Sequence, residues 1–144
     1  MKMKVYIASD HAGYEMKEAI KRHFSAEFEW EDLGTDSSES VDYPDYAHPL
    51  AEAVAQSPEN RAVLLCGTGN GVAMTANKHA DVRAALCWNT EIAALARQHN
   101  NANVVVLPAR FIPTESAFAI VETFFNTPFE GGRHARRVEK INIQ

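Results

Sequence analysis

The run Cys66-Gly67-Thr68-Gly69-Asn70-Gly71-Val72 places a thiol at the lip of a glycine-rich turn. The apolar stretch Ala62 to Leu65 ahead of it reads as a buried strand, and Val72 to His79 behind it suits a helix. A strand, a glycine turn and a helix start form a cradle of backbone N–H groups that point at an anion. Helix N-termini favour the thiolate form of a cysteine, and a base near neutrality suits proton abstraction. Cys66 alone also reads as a core-facing cysteine; the adjacent cradle favours chemistry. Cys87 lacks that context and reads as core. The loop has no Gly-Lys-Ser/Thr and its spacing is G-x-G-x-G, so neither nucleotide fingerprint is present. Val72 stands where a cysteine phosphatase would carry its phosphate-clamping arginine. The remaining alternative is a tight strand-to-helix turn without a ligand.

Other residues offer complementary chemistry. His99 follows Leu95 by four positions and Ile92 by seven, so it falls on the apolar side of a helix near its C-terminal end. It reads either as an interior histidine or as a proton carrier held by Asn100 and Asn101. Asp10-His11 follows the first strand and suits proton transfer or phosphate binding. Asp10 also suits a helix N-cap, and both roles can hold together. Arg133 and Arg137 lie four apart on one helical face. They form either a bidentate phosphate clamp or a solvated basic face. Being C-terminal, they can serve either their own chain's site or a neighbouring subunit's, which would make the site shared.

The elements that must position these residues alternate. Strands are expected at Lys4 to Ala8, Phe28 to Leu33 (an edge strand), Ala62 to Cys66, Arg83 to Trp88 and Asn103 to Leu107. Helices are expected around Met16, Ala19, Ile20 and Phe24, with Lys17, Lys21 and Arg22 elsewhere on the helix. The next is Tyr43 to Ala55, entered by the Asp42 capping acid and Pro44 and distorted early by Pro49. Another is capped by Asn89 or Thr90, with Ile92, Leu95, Ala96 and His99 on one side. Thr114 caps one with the stripe Ala117, Ile120, Val121 and Phe124. A last short helix starts near Arg133, its apolar positions Ala135, Val138 and Ile141. Alternation of this kind gives a parallel sheet with helices on both faces. Ligands bind such sheets at the carboxyl ends of strands, where Asp10-His11, the Cys66 loop and Pro108-Ala109-Arg110 should share one edge.

Composition bounds the partners. At 144 residues the chain suffices for one domain with a core. A net charge of −5 argues against bulk nucleic-acid or membrane binding. No apolar run is long enough to span a bilayer, and the apolar part of Met1 to Ala8 is too short for a signal peptide. Two cysteines without metal spacing or a disulfide framework suggest the reducing cytosol.

Ser9-Asp10-His11-Ala12-Gly13, Asp42-Tyr43-Pro44-Asp45-Tyr46-Ala47, Cys66 to Gly71, Ala76-Asn77-Lys78, Arg97-Gln98-His99-Asn100 and Glu130-Gly131-Gly132-Arg133-His134 occur in one chain. Together, from about Lys4 to Ile141, they resemble ribose-5-phosphate isomerase type B and the related galactose-6-phosphate isomerase subunits. The resemblance implies an α/β fold, a Rossmann-like three-layer αβα sandwich with a five-stranded parallel sheet. It implies a single domain over residues 1–144, with the segment from about residue 128 contacting a partner subunit. The implied assembly is a homodimer with shared sites, in some members paired into tetramers, with no nucleic-acid or membrane partner. The implied reaction interconverts ribose 5-phosphate and ribulose 5-phosphate through a cis-enediolate, without metal or cofactor. Another aldose phosphate, such as allose 6-phosphate or a four-carbon sugar phosphate, is the alternative substrate; a non-catalytic sugar-phosphate sensor is the alternative function.

Roles carry over by position. Cys66 matches the base between C2 and C1; relatives lacking it use a glutamate just after the loop, where this chain has Val72. The N–H groups from Gly67 through Gly69, Asn70 and Gly71 match the enediolate cradle, and Thr68 a proton shuttle. His99 matches the ring-opening acid, aided by Asp10. His11, Arg110, Arg133 and Arg137 match phosphate-binding positions, Asn100 a substrate contact, and His134 a position near the substrate. Pro108 departs from the glycine usual before the Ala-Arg pair and is expected to stiffen the turn that presents Arg110.

Overall fold

The computed structural model describes residues 1–143. The chain runs β1 (Met3–Ser9), a 3-10 turn (His11–Gly13), α1 (Tyr14–His23), β2 (Phe28–Asp32), α2 (Pro44–Ala55), β3 (Ala62–Cys66) and α3 (Asn70–Ala76). It continues through β4 (Ala84–Leu86), α4 (Thr90–Asn100), β5 (Val104–Pro108), α5 (Thr114–Asn126) and α6 (Arg133–Glu139). The five strands form one parallel sheet in the order β2-β1-β3-β5-β4. This is the expected α/β, Rossmann-like arrangement. Among the described residues no helix is long and apolar enough to cross a membrane.

Each strand residue takes its face from the period-two pleat. Val5, Ile7, Val63, Leu65, Val105 and Leu107 pack with Ile20 of α1 and Ile120 and Phe124 of α5. Ala8, Leu64, Cys66, Val104 and Val106 pack with Leu50 and Val54 of α2 and Val72 of α3. Every residue of β3 and β5 is buried, as expected for strands covered on both faces. Connections leave β1 outward to β2 and then cross to β3 on its other side, so β1 and β3 flank a topological switch point. Their carboxyl ends open the crevice in which such sheets bind ligands.

Several expectations change. β4 is only three residues, Ala84–Leu86; Arg83 N–H is taken by Asn103 Oδ1 at 2.7 Å instead of by the sheet ladder. α3 begins at Asn70 and ends at Ala76, and turn bonds from Lys78 N–H to Thr75 O and from His79 N–H to Ala76 O carry the chain on to His79. Asn89 caps α4, accepting from Ile92 N–H at 2.9 Å. Tyr43 and Pro113 stand at the starts of α2 and α5 without side-chain capping bonds, so neither Asp42 nor Thr114 caps. α2 passes through Pro49 as one helix. The buried face of α4 is Ala93, Ala96 and Arg97, while Leu95 is exposed. The cause is Arg97, whose guanidinium donates to Thr127 O, Asn101 Oδ1 and Ala102 O and so faces inward. In α6 the buried residue is His134, and Ile141 beyond it is exposed.

Lys17, expected away from the apolar stripe of α1, is the largest departure, being fully buried. Its Nζ meets Asp32 Oδ2 at 2.5 Å and Glu18 Oε2 at 3.0 Å, and Lys21 shares both acids. Burial alone would raise the Asp32 carboxyl; the Lys17 and Lys21 ammoniums override it and hold it below the usual carboxylate range. A depressed folded value stabilises the protein at neutral pH and is lost as pH falls through that value. Asp32→Asn is expected to cost about 2 kcal/mol in urea unfolding at pH 7, less than a fully broken buried pair because Glu18 remains. The gap between variant and wild type should close below about pH 4; a gap independent of pH would contradict the pairing.

Candidate active site

The carboxyl edge of the sheet gathers the first set of residues. Asp10 N–H donates to Leu65 O at 3.3 Å and ties the end of β1 to that of β3. The Asp10 side chain is buried and caps the 3-10 turn, Oδ1 accepting from Ala12 and Gly13 N–H at 3.0 and 3.2 Å. The cap reading is therefore realised, and among the described residues Oδ2 has no partner. Next to it, His11 Nδ1 accepts from Val41 N–H at 3.1 Å. With Nδ1 an acceptor, the ring proton sits on Nε2, which presents a donor.

Cys66 ends β3, 5 % exposed, in register with Pro108 of β5. Gly69 stands at φ +80° directly before α3, and a Cβ there would collide with Leu86 Cδ1. That conformation is open to glycine and rarely to other residues, and it is what turns the strand sharply into the helix. Arg110 folds over the loop: its N–H donates to Gly67 O at 3.0 Å. A Cβ on Gly67 would lie 3.2 Å from Arg110 Cδ, so the glycine admits the arginine stem. Phe111 N–H donates to Pro108 O at 2.9 Å and closes the turn that carries Arg110. Thr68 Oγ1 accepts from Asn70 N–H at 3.1 Å. One of the expected cradle donors is thus already engaged, while the Thr68 hydroxyl keeps its own proton to donate.

The second set lies elsewhere. His99 and His134 stack with centroids 4.3 Å apart and planes 11° from parallel. Glu130 Oε1 is 4.0 Å from His99 Nε2 and 3.5 Å from His134 Nε2. His99, Asn100, His134 and Arg137 line one cavity of about 340 Å³ with Val138 and Ile141. Arg133 is exposed at the start of α6. Burial, then the neighbouring His99 and Arg133 charges, hold the His134 imidazole below its usual range.

Topology separates the two sets. α4 starts at the carboxyl edge and runs back, so its last turn lies at the amino edge. Asn101 O there accepts from Arg83 Nε at 2.7 Å, just ahead of β4. His99 is thus at least a strand length, roughly 13 Å for four residue steps, from Cys66 of the same chain. The expectation that His99 projects into the Cys66 site is not met within one chain. His99, Asn100, Arg133, His134 and Arg137 are together; Asp10, His11, the Cys66–Gly71 loop and Arg110 are together; the groups are apart.

Sequence reasoning assigned no role to Val41, Tyr43 or Glu130. A Cβ on Gly71 would lie 2.6 Å from the Tyr43 ring, so that ring covers the loop. The signal for Tyr43 was the Asp-Tyr-Pro-Asp motif; a backbone amide such as that of Val41 leaves none.

Comparison with known proteins places this architecture in company. A family model described as Ribose/Galactose Isomerase matches residues 5–141. A probable ribose-5-phosphate isomerase B of Mycoplasma pneumoniae is 46 % identical over 98 % of this chain and 94 % of its own length. The crystal structure of a ribose 5-phosphate isomerase from Thermotoga maritima matches with TM-score 0.94 and 51 % identity, covering 98 % of each chain. The Mycoplasma genitalium ribose-5-phosphate isomerase B, solved with bound ribulose-5-phosphate, matches with TM-score 0.94 and 44 % identity over 98 % of this chain and 95 % of that one.

Proposed function

The chain belongs to the ribose/galactose isomerase family, and from that premise we propose that it interconverts ribose 5-phosphate and ribulose 5-phosphate in the pentose phosphate pathway. The observation that carries the mechanism is the pair of half-sites. The carboxyl-edge half offers a thiol and a donor loop but a single arginine, Arg110. The other half offers imidazoles and the two arginines, Arg133 and Arg137, but no base beside a donor loop. An isologous dimer sets each half against its complement twice. The C-terminal segment from about residue 128 then contacts the partner, and the single domain of each chain contributes to both sites. Pairing of dimers into tetramers leaves this logic unchanged. Its free thiols suit the reducing cytosol.

In this reading the partner's His99 protonates the ring oxygen while Asp10 assists with Oδ2, its free oxygen. Cys66 then takes the C2 proton, and the thiol, in exchange with solvent, delivers a proton to C1. Negative charge builds on two adjacent sugar oxygens, and the loop amides from Gly67 to Gly71, save that of Asn70, hold it. Fixed donors of this kind do not reorganise as charge develops, and each is worth about 3 kcal/mol of barrier. Thr68 passes a proton between the oxygens. His11 and Arg110 with the partner's Arg133 and the partner's Arg137 grip the phosphate, and the partner's Asn100 and the partner's His134 contact the sugar. That remote grip orients C2 against the thiol. No step requires a metal.

The test is turnover of ribose 5-phosphate in heavy water with a chelator present. The expected result is ribulose 5-phosphate carrying deuterium at C1, at a rate the chelator leaves unchanged. Binding without exchange would replace the enzyme with a sensor. Faster turnover of allose 6-phosphate or a four-carbon aldose phosphate would replace the substrate.

A further inference from the structure

The Glu130–His134 segment carries chemistry that phosphate binding does not use. Gly131 and Gly132, at φ +70° and +57°, turn the chain so that Glu130 lies beside the first turn of α6. Glu130 N–H donates to Gln98 O at 3.1 Å and docks the segment on the end of α4. The ligand atoms of His99, Glu130 and His134 all lie within 4.8 Å of one another. At 3.5 and 4.0 Å, the carboxylate is too far from either imidazole for a good hydrogen bond. Those separations instead approach the ligand–ligand edge of a tetrahedral zinc site, about 3.4 Å for bonds near 2.1 Å.

We propose that His99, Glu130 and His134 bind a zinc ion, with water or an anion completing the coordination. Two imidazoles and a carboxylate are a donor set that suits zinc rather than magnesium or calcium. The two rings are stacked, so a shared ion requires one to turn, and His99, 41 % exposed, is the ring with room to do so. Arg137, which lines the same cavity, and Arg133 oppose a cation and favour an anion in its open position. Resting on the isomerase reading, a further consequence follows: zinc takes His99 out of use as the ring-opening acid and inhibits turnover. The ion is an inhibitor, not a participant in the reaction.

Zinc affinity measured by competition with a chromogenic chelator tests the site without reference to activity. One zinc per chain is expected. Glu130→Gln should weaken it about 100-fold, at the upper end of what even outer-shell partners contribute. Cys66→Ala, which removes the thiol at the glycine loop, should bind zinc as wild type does. The competing donors are the His48–His79 surface pair, 2.7 Å apart, so His79→Ala is the second control. Binding that survives Glu130→Gln, or that is lost in His79→Ala or Cys66→Ala, would overturn the proposal. So would no binding at tens of micromolar. In the activity arm, zinc should inhibit wild type and spare Glu130→Gln, whose zinc-free turnover should match wild type. Absence of turnover in both proteins would reject the isomerase reading and leave the binding result standing.

Discussion

Cys66→Ala is expected to lower isomerase turnover by about 10²–10⁴-fold, the range for removing a positioned general base, while the Michaelis constant stays nearly constant. The thiol stands at the start of the glycine loop, and the position after the loop, Val72, is an apolar residue fully buried in the core. Phosphate contacts lie on other residues, so ground-state binding should survive. The fold should survive as well: one buried sulfur is lost, at a cost of about 1–2 kcal/mol by analogy with small core truncations. Cys87 is the internal control. Burial pushes its thiol up to about 12, so it stays protonated and unreactive at neutral pH. Cys87→Ala should leave turnover unchanged, and substrate should protect the enzyme from alkylation at Cys66. A Cys66→Ala enzyme of near-wild-type turnover would remove the thiol from the mechanism.

Arg137→Ala is expected to lower kcat/KM by roughly 10–100-fold, since a charge-assisted hydrogen bond is worth about 1.5–3 kcal/mol. The loss should fall on both constants, because energy from a remote group is used to orient the reacting carbon. Steady-state kinetics on ribose 5-phosphate checks this. Arg136, one residue away and also exposed, provides the contrast. Unlike Arg137, it does not line the cavity beside His99 and His134, and Arg136→Ala should be neutral. Equal losses in the two variants would reduce the arginine face to general electrostatics.

The fold was legible because its central strands β3 and β5 are apolar runs. Both faces of β3 and β5 are covered, and their sequences say so without ambiguity. Elements whose faces are set by a buried charge were not legible. Arg97 turns α4 inward through bonds to Thr127, Asn101 and Ala102, and periodicity reads an arginine as an outward residue. Lys17 is concealed in the same way, because its partner Asp32 lies on another element. Within the site, local motifs were legible: the glycine loop, the Asp10 cap and the Arg110 turn each depend on a few adjacent residues. What the motifs do not encode is direction. The antiparallel return of α4 carries His99 away from Cys66, and only the topology shows it. Backbone partners such as Val41 N–H on His11, and Asn70 N–H on Thr68, also leave no side-chain signal.

The claim that one working site needs two chains is tested most directly by mixing two impaired variants. Cys66→Ala spoils the carboxyl-edge half and Arg137→Ala the α6 half. In a mixed dimer one site carries both defects and the other carries neither. Random reassortment of equal amounts should therefore restore about a quarter of wild-type activity above the two parents. A mixture no more active than its parents, despite demonstrated subunit exchange, would show that both halves act within one chain and would contradict the account.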